Sequence, residues 1–197
     1  MSESTIRTAL GVLQDEPDNE RAWTDLGADV RNTGNGGGAD AASAALNLLA
    51  AARSAHEMRR EYEAVARLLE LEVEVAGACG PEKADVQVER LRELAHLRDD
   101  ILLDDANALA AYRRLLELRP EDADAKEGIE RSEVKRSKWK DLAQKYFSEA
   151  KSAGDPSFKS SLLVSAAEIA YRYARPELEA REAKKREEEG KKEEEAP

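Results

Sequence analysis

Residues 104–125 read DDANALAAYRRLLELRPEDADA, and they leave the chain little conformational choice. Ala, Leu, Arg and Glu all favour helix. Ala108, Tyr112 and Leu115 recur at the three- and four-residue spacing of one helical face. Pro120 lacks an amide hydrogen and restricts the residue before it, so the helix must stop near Leu118. So short a helix is stable only when its apolar stripe packs on neighbours, so the rest of the chain must supply them.

The same punctuation runs through the whole sequence. Thr5–Gln14 reads as a helix halted near Pro17, and Asp18 or Asn19 can cap the next, which carries Ala22, Trp23, Leu26 and Val30 at helical spacing. TGNGGGAD (33–40) is predicted to be a flexible break. Residues 41–53 are apolar on most sides. A further helix starts near Glu61 and runs through YEAVARLLELEVEVAG, until GACGP (77–81) interrupts it and Pro81 opens the next turn. VERLRELAHLRDDILL follows, then the stretch quoted above. Asp122 caps what comes after Pro120, and SKWKDLAQKYFSEAKSAG ends at Gly154. Asp155-Pro156-Ser157 begins the last apolar helix, closed by Pro176. The pattern predicts about nine modest helices and no strand, an all-α protein.

Charge and cysteine content narrow the function classes. A net charge of −11 disfavours nucleic acid and anionic membrane, both of which select positive fields. No apolar run reaches the roughly 18–20 residues of a membrane span, and MSESTIRTAL lacks a signal peptide's apolar core. The single cysteine, Cys79, rules out an internal disulfide and fits a cytoplasmic setting. From Arg175 onward 16 of 23 residues are charged, so residues 177–197 read as a solvated tail behind a folded region, 1–176.

Two internal matches point to repetition. At an offset of 103, Val12, Leu13, Pro17, Ala22 and Leu26 fall on Leu115, Leu116, Pro120, Ala125 and Ile129. At an offset of 77, Arg59, Tyr62, Val65, Ala66, Leu69, Glu72 and Gly77 fall on Arg136, Trp139, Leu142, Ala143, Tyr146, Glu149 and Gly154. The first offset is close to three periods of about 34 residues. The second is near two units of 38–39, so the repeats are irregular in length.

Ala108, Tyr112 and Pro120 resemble the second helix of a tetratricopeptide repeat, and AWTDLG after DEPDN (15–27) resembles the first helix of such a unit. The resemblance covers about half the chain. It departs where His96 and Glu130 stand at glycine positions and Gly154 at a proline position. It implies a right-handed α-solenoid of stacked antiparallel helix pairs with degenerate, tetratricopeptide-like units; HEAT-like pairs are the alternative. It further implies a concave protein-binding groove lined by the first helix of each pair. That frame places Arg21, Thr24, Ala28 and Arg31 in the groove, then Arg90, Glu93 and Leu97, then Asp124, Glu127, Arg131 and Lys135. Thr24 and Ala28 hold positions where chaperone-binding relatives need Lys and Asn, so a chaperone-tail role is not expected.

Chemistry-bearing residues are sparse. Gly34, Gly36, Gly37 and Gly38 lack the Lys-Ser or Lys-Thr of a phosphate loop. HEMRR at His56 lacks the second His of a zinc-protease helix, and His56, Cys79 and His96 are too scattered for a structural zinc site. Cys79, Ser160 and Ser161 have no evident base, and Asp99-Asp100 and Asp104-Asp105 lack a calcium loop's glycine and terminal Glu. Arg131, Lys135, Arg136, Lys138, Lys140 and Lys145 surround Trp139, but Glu130, Glu133 and Asp141 interleave, and Trp139 reads as a core position. The expectation is therefore an adaptor that binds another protein or peptide, with no catalysis, cofactor or metal. The alternative is a structural role, as the N-terminal piece of a larger scaffold or as a chain that self-associates through its end helices, which an exposed apolar flank would favour.

Overall fold

The computed structural model describes residues 3–36 and 38–174, with backbone alone at 34–36. Among the described residues there are eight α-helices and no strand. They are α1 (Glu3–Asp15), α2 (Glu20–Gly36), α3 (Gly38–Met58), α4 (Tyr62–Ala78), α5 (Ala84–His96), α6 (Asp105–Leu118), α7 (Ala123–Ser152) and α8 (156–174). A 3₁₀ turn, Gly80–Lys83, precedes α5, and a π turn, Leu97–Ile101, follows it. The chain divides into two units, Met1–Ile129 and Glu130–Pro197, with the boundary inside α7.

The helix starts follow from the polar residues that precede them. The Asn19 side chain accepts from the Ala22 amide at 3.0 Å, Asp104 from Asn107 at 3.2 Å and Asp122 from Ala125 at 2.9 Å. Each satisfies an amide that the first helical turn leaves without a partner. Leu103 closes the α5–α6 connection at φ +55°, an unusual left-handed conformation for Leu.

In the first unit every packed pair of elements lies close in the chain. α1, α2 and α3 pack on one another, and α4 packs on both α2 and α3; beyond it come α4 with α5 and α5 with α6. Two cores result. Ile6, Leu13, Trp23, Leu26 and Leu49 fill the first, and Leu69, Val73, Leu91, Tyr112 and Leu115 the second. α4 serves both: Ala64, Leu68, Leu71 and Val75 face one core, and Val65, Ala66, Leu69 and Val73 the other. That explains why its sequence is apolar nearly all round.

Three expectations need correction. The break predicted over 33–40 shrinks, because α2 continues to Gly36 and α3 resumes at Gly38 with φ +74°. The segments 123–136 and 137–152 are one 30-residue helix, so eight helices replace nine among the described residues. No Gly or Pro interrupts residues 129–152, and i→i−4 hydrogen bonding simply continues. Trp139 is only half-buried, its ring stacked on Tyr173 at 6.1 Å between centroids, both in the second unit. The expectation for the tail, 177–197, falls outside the described residues.

The two self-matches do not carry burial along with identity. Val12 is 39% exposed while its counterpart Leu115 is fully buried, and Leu142 lies open where Val65 is buried. In the first match the inward position shifts by one residue, Leu13 being buried where Leu115 is; in the second, α4 is buried on both sides and Leu142 is not.

Close packing in the second core depends on a glycine. A Cβ placed at Gly128 would come within 2.5 Å of Tyr112 Cζ. Gly128→Ala should therefore cost about 1–3 kcal/mol, as overpacking does, despite alanine's better helix propensity. Urea unfolding of this variant, alone and with Tyr112→Leu, checks the cause. A loss unrelieved by the smaller partner would place the strain elsewhere.

Candidate functional site

The groove residues divide by environment. Arg21, Thr24, Ala28 and Arg31 form one exposed ridge on α2, opposite buried Ala22, Trp23, Leu26 and Val30. Arg31 pairs with Glu74 of α4 at 3.6 Å. Below the ridge, Arg67 of α4 donates twice to Glu20 at 2.8 Å, and its guanidinium lies 4.8 Å from the Trp23 ring centroid. The Arg67 hydrogen bond holds the Glu20 carboxyl below the usual carboxylate range.

Arg90 and Glu93 are engaged in an ion network rather than an open ridge. Arg53 of α3 donates from Nε to Glu72 Oε1 at 2.8 Å, and Arg90 Nε lies 2.6 Å from Glu72 Oε2. Arg90 also donates to Glu93 at 2.7 Å, and Arg53 lies 3.5 Å from Glu93. Glu72 is 1% exposed. Burial raises the Glu93 carboxyl above its ordinary value, although Arg90 and Arg53 oppose that. Leu97 packs in the second core and lines no surface.

Asp124 belongs to a third set of charges. His96 Nε2 lies 2.8 Å from Asp124, and its Nδ1 3.4 Å from Asp100. Arg92 donates to Asp122 at 2.6 Å. Burial would lower the His96 imidazole, but Asp124 and Asp100 outweigh it and raise it. Glu127 lies exposed on the same turn of α7, and Arg131 and Lys135, both half-buried, fall in the second unit. The structure thus brings four candidates together on α2 and two in the ion network. It does not gather the eleven on one surface of the first unit.

The His96 contacts set a pH dependence. A raised folded value means the contribution is fully present below the unfolded value, about 6.5, and lost as pH rises through the folded one. His96 is half-exposed, so the effect stays under about 1 kcal/mol. The melting difference between parent and His96→Gln should be larger at pH 5.5 than at pH 8.5. An equal or reversed difference would mean that the imidazole gains nothing from Asp124 and Asp100.

His56 is fully buried. Its Nδ1 lies 2.5 Å from Glu61, while Nε2 is enclosed without a partner. Arg59, in the same turn, donates to the Gln14 carbonyl at 2.6 Å and so ties the α3–α4 corner to α1. This arrangement fixes a corner, with the His56 ring itself enclosed. Among the described residues no group of three or more His, Cys, Asp or Glu could hold a metal ion, and no helix is long and apolar enough to cross a membrane.

Sequence reasoning missed Glu72 and Gly128. Glu72 stands three residues after Leu69 and seven after Val65, in the middle of an apolar stripe. A carboxylate in such a position is the signal of a buried partner. It also missed the open stripe of α8: Leu163, Val164, Ala167 and Tyr171 are all exposed. No protein-family profile, curated protein or solved structure matches this chain.

Proposed function

We propose that the protein is a protein-interaction module without catalysis of its own, its first unit a stack of helix pairs that presents α2 to a partner. The observation that carries this reading is the α2 ridge. Arg21, Thr24, Ala28 and Arg31 follow one another at three- and four-residue steps and all lie exposed, on a helix anchored beneath by Trp23, Glu20 and Arg67. A rigid helix with open polar positions offers a binding face at little ordering cost. The order of helix contacts, each with elements near it in the chain, supports a quasi-one-dimensional, tetratricopeptide-like stack.

Ala28→Arg and the pair Arg21→Glu, Arg31→Glu test it. Both alter exposed positions, so melting should stay within about 0.5 kcal/mol of the parent. Proteins captured by the parent from native lysate should be lost by both variants. Capture that survives both, or none by the parent, would reject α2 as the binding face.

A second reading, self-association as a structural piece, is favoured by one specific observation. Leu163 and Val164 of helix α8, in the second unit, are 39% and 53% exposed.

A further inference from the structure

His96, the last residue of α5, stands between two carboxylates that belong to different elements. Its Nε2 lies 2.8 Å from Asp124, in the first turn of α7, and its Nδ1 3.4 Å from Asp100, in the π turn. A neutral imidazole carries one N–H, so one of its nitrogens would turn a lone pair toward a carboxylate. Only the imidazolium donates on both sides. Other charged groups surround the ring. Arg92 of α5 lies 3.5 Å from Asp124 and pairs with Asp122, and Glu127 follows them on α7. Asp99 is buried within the π turn. α4 reaches that turn through Glu70, paired with Arg98, which also holds Asp104 at the start of α6. α6 presents the Tyr112 ring edge-on. Burial lowers the imidazole, and the two facing carboxylates more than offset that.

We propose that His96 is a proton-operated latch between the π turn and α7: charged, it holds both, and neutral, it keeps Asp124 and releases Asp100. The two distances pick the contact that is lost. A separation of 2.8 Å is an ordinary hydrogen bond, and 3.4 Å is beyond the usual range. The neutral ring therefore keeps its proton on Nε2. The turn it releases has little else in its favour. π hydrogen bonding is rare, Leu103 behind it sits at φ +55°, and Ile101 and Leu103 are apolar side chains left exposed. Such a segment opens locally while the rest of the fold stays closed. The latch is closed in mildly acid solution and opens as pH rises through the folded-state value of His96, which lies above about 6.5. Nothing in it depends on α2.

Magnetic resonance of the full chain tests this. The chain has two histidines, so His96→Gln assigns the ring signals. The His96 ring should titrate above about 6.5, and Asp100→Asn and Asp124→Asn should each lower its midpoint. Asp85→Asn, the same charge change at the other end of α5, should not. At high pH the ring nitrogens should report a proton on Nε2 and none on Nδ1. The amides of Leu102 and Asp104 close the turn by donating to the Leu97 and Arg98 carbonyls at 3.0 and 2.7 Å. Their hydrogen exchange, corrected for intrinsic base catalysis, should reflect about two- to fivefold more opening at pH 8.5 than at pH 5.5, as a half-exposed ion pair allows. That difference should vanish in His96→Gln and in Asp100→Asn. Asp100 lies exposed, so its variant should fold like the parent. An unmoved ring midpoint in Asp100→Asn overturns the latch. So does opening at Leu102 and Asp104 that ignores pH, or that keeps its pH dependence in Asp100→Asn. A neutral ring protonated on Nδ1 overturns it too, because Asp100 would then be the contact kept.

Discussion

Tyr112→Ala should destabilise the protein by about 3–5 kcal/mol, the range of large aromatic truncations in a closed core. Tyr112 is fully buried, and Ala108 and Leu115 flank it on the same face of α6. His96 meets its ring edge-on at 5.9 Å, and Ala125 and Gly128 of α7 press against the same cluster. Removing the ring therefore opens space between α5, α6 and the start of α7 at once. Glycine at 128 cannot fill it. The urea midpoint should fall with the slope unchanged. A midpoint equal to the parent's would show that Tyr112 closes no core.

How far such positions can be read from sequence depends on which force decides them. The run 104–118 was legible because propensity, periodicity and a proline stop agree there, and Ala108, Tyr112 and Leu115 are all fully buried. The helix starts at Asn19 and Asp122 were legible because capping is local chemistry. Other features depend on tertiary context. Residues 33–40 look like a loop by composition, yet glycines up to Gly36 stay helical, since glycine weakens a helix by only about 1 kcal/mol. The continuity of α7 through Ser137 was missed because repeat spacing suggested a turn where no breaker stands. The candidate site was less legible than the fold. Arg90 and Glu93 were placed on a groove by the frame that the resemblance implies, whereas the charge that organises them, Glu72, comes from another helix. No periodicity rule reports a cross-helix ion pair.

That carboxylate gives the second large effect. Glu72→Ala should cost about 3–5 kcal/mol, the usual result of removing one partner from a buried ion pair. Glu72 holds Arg53 of α3 through one oxygen and Arg90 of α5 through the other, so it joins three consecutive helices. Without it two guanidiniums, each under one-fifth exposed, face each other with the more exposed Glu57, Glu89 and Glu93 left to balance them. Arginine cannot shed its proton to relieve this. Replacing the set together, Arg53→Met, Glu72→Leu and Arg90→Met, should recover most of the loss, because burying a charged triad costs desolvation that apolar side chains avoid. Glu93 stays 39% exposed and can turn to solvent. The comparison separates two roles for the network. If the triple variant matches the parent in stability but loses its sharp unfolding transition, Glu72 chooses the register of α3, α4 and α5 rather than holding them together. If Glu72→Ala alone stays within about 1 kcal/mol of the parent, water reaches the triad and the ion pairs are worth no more than surface ones.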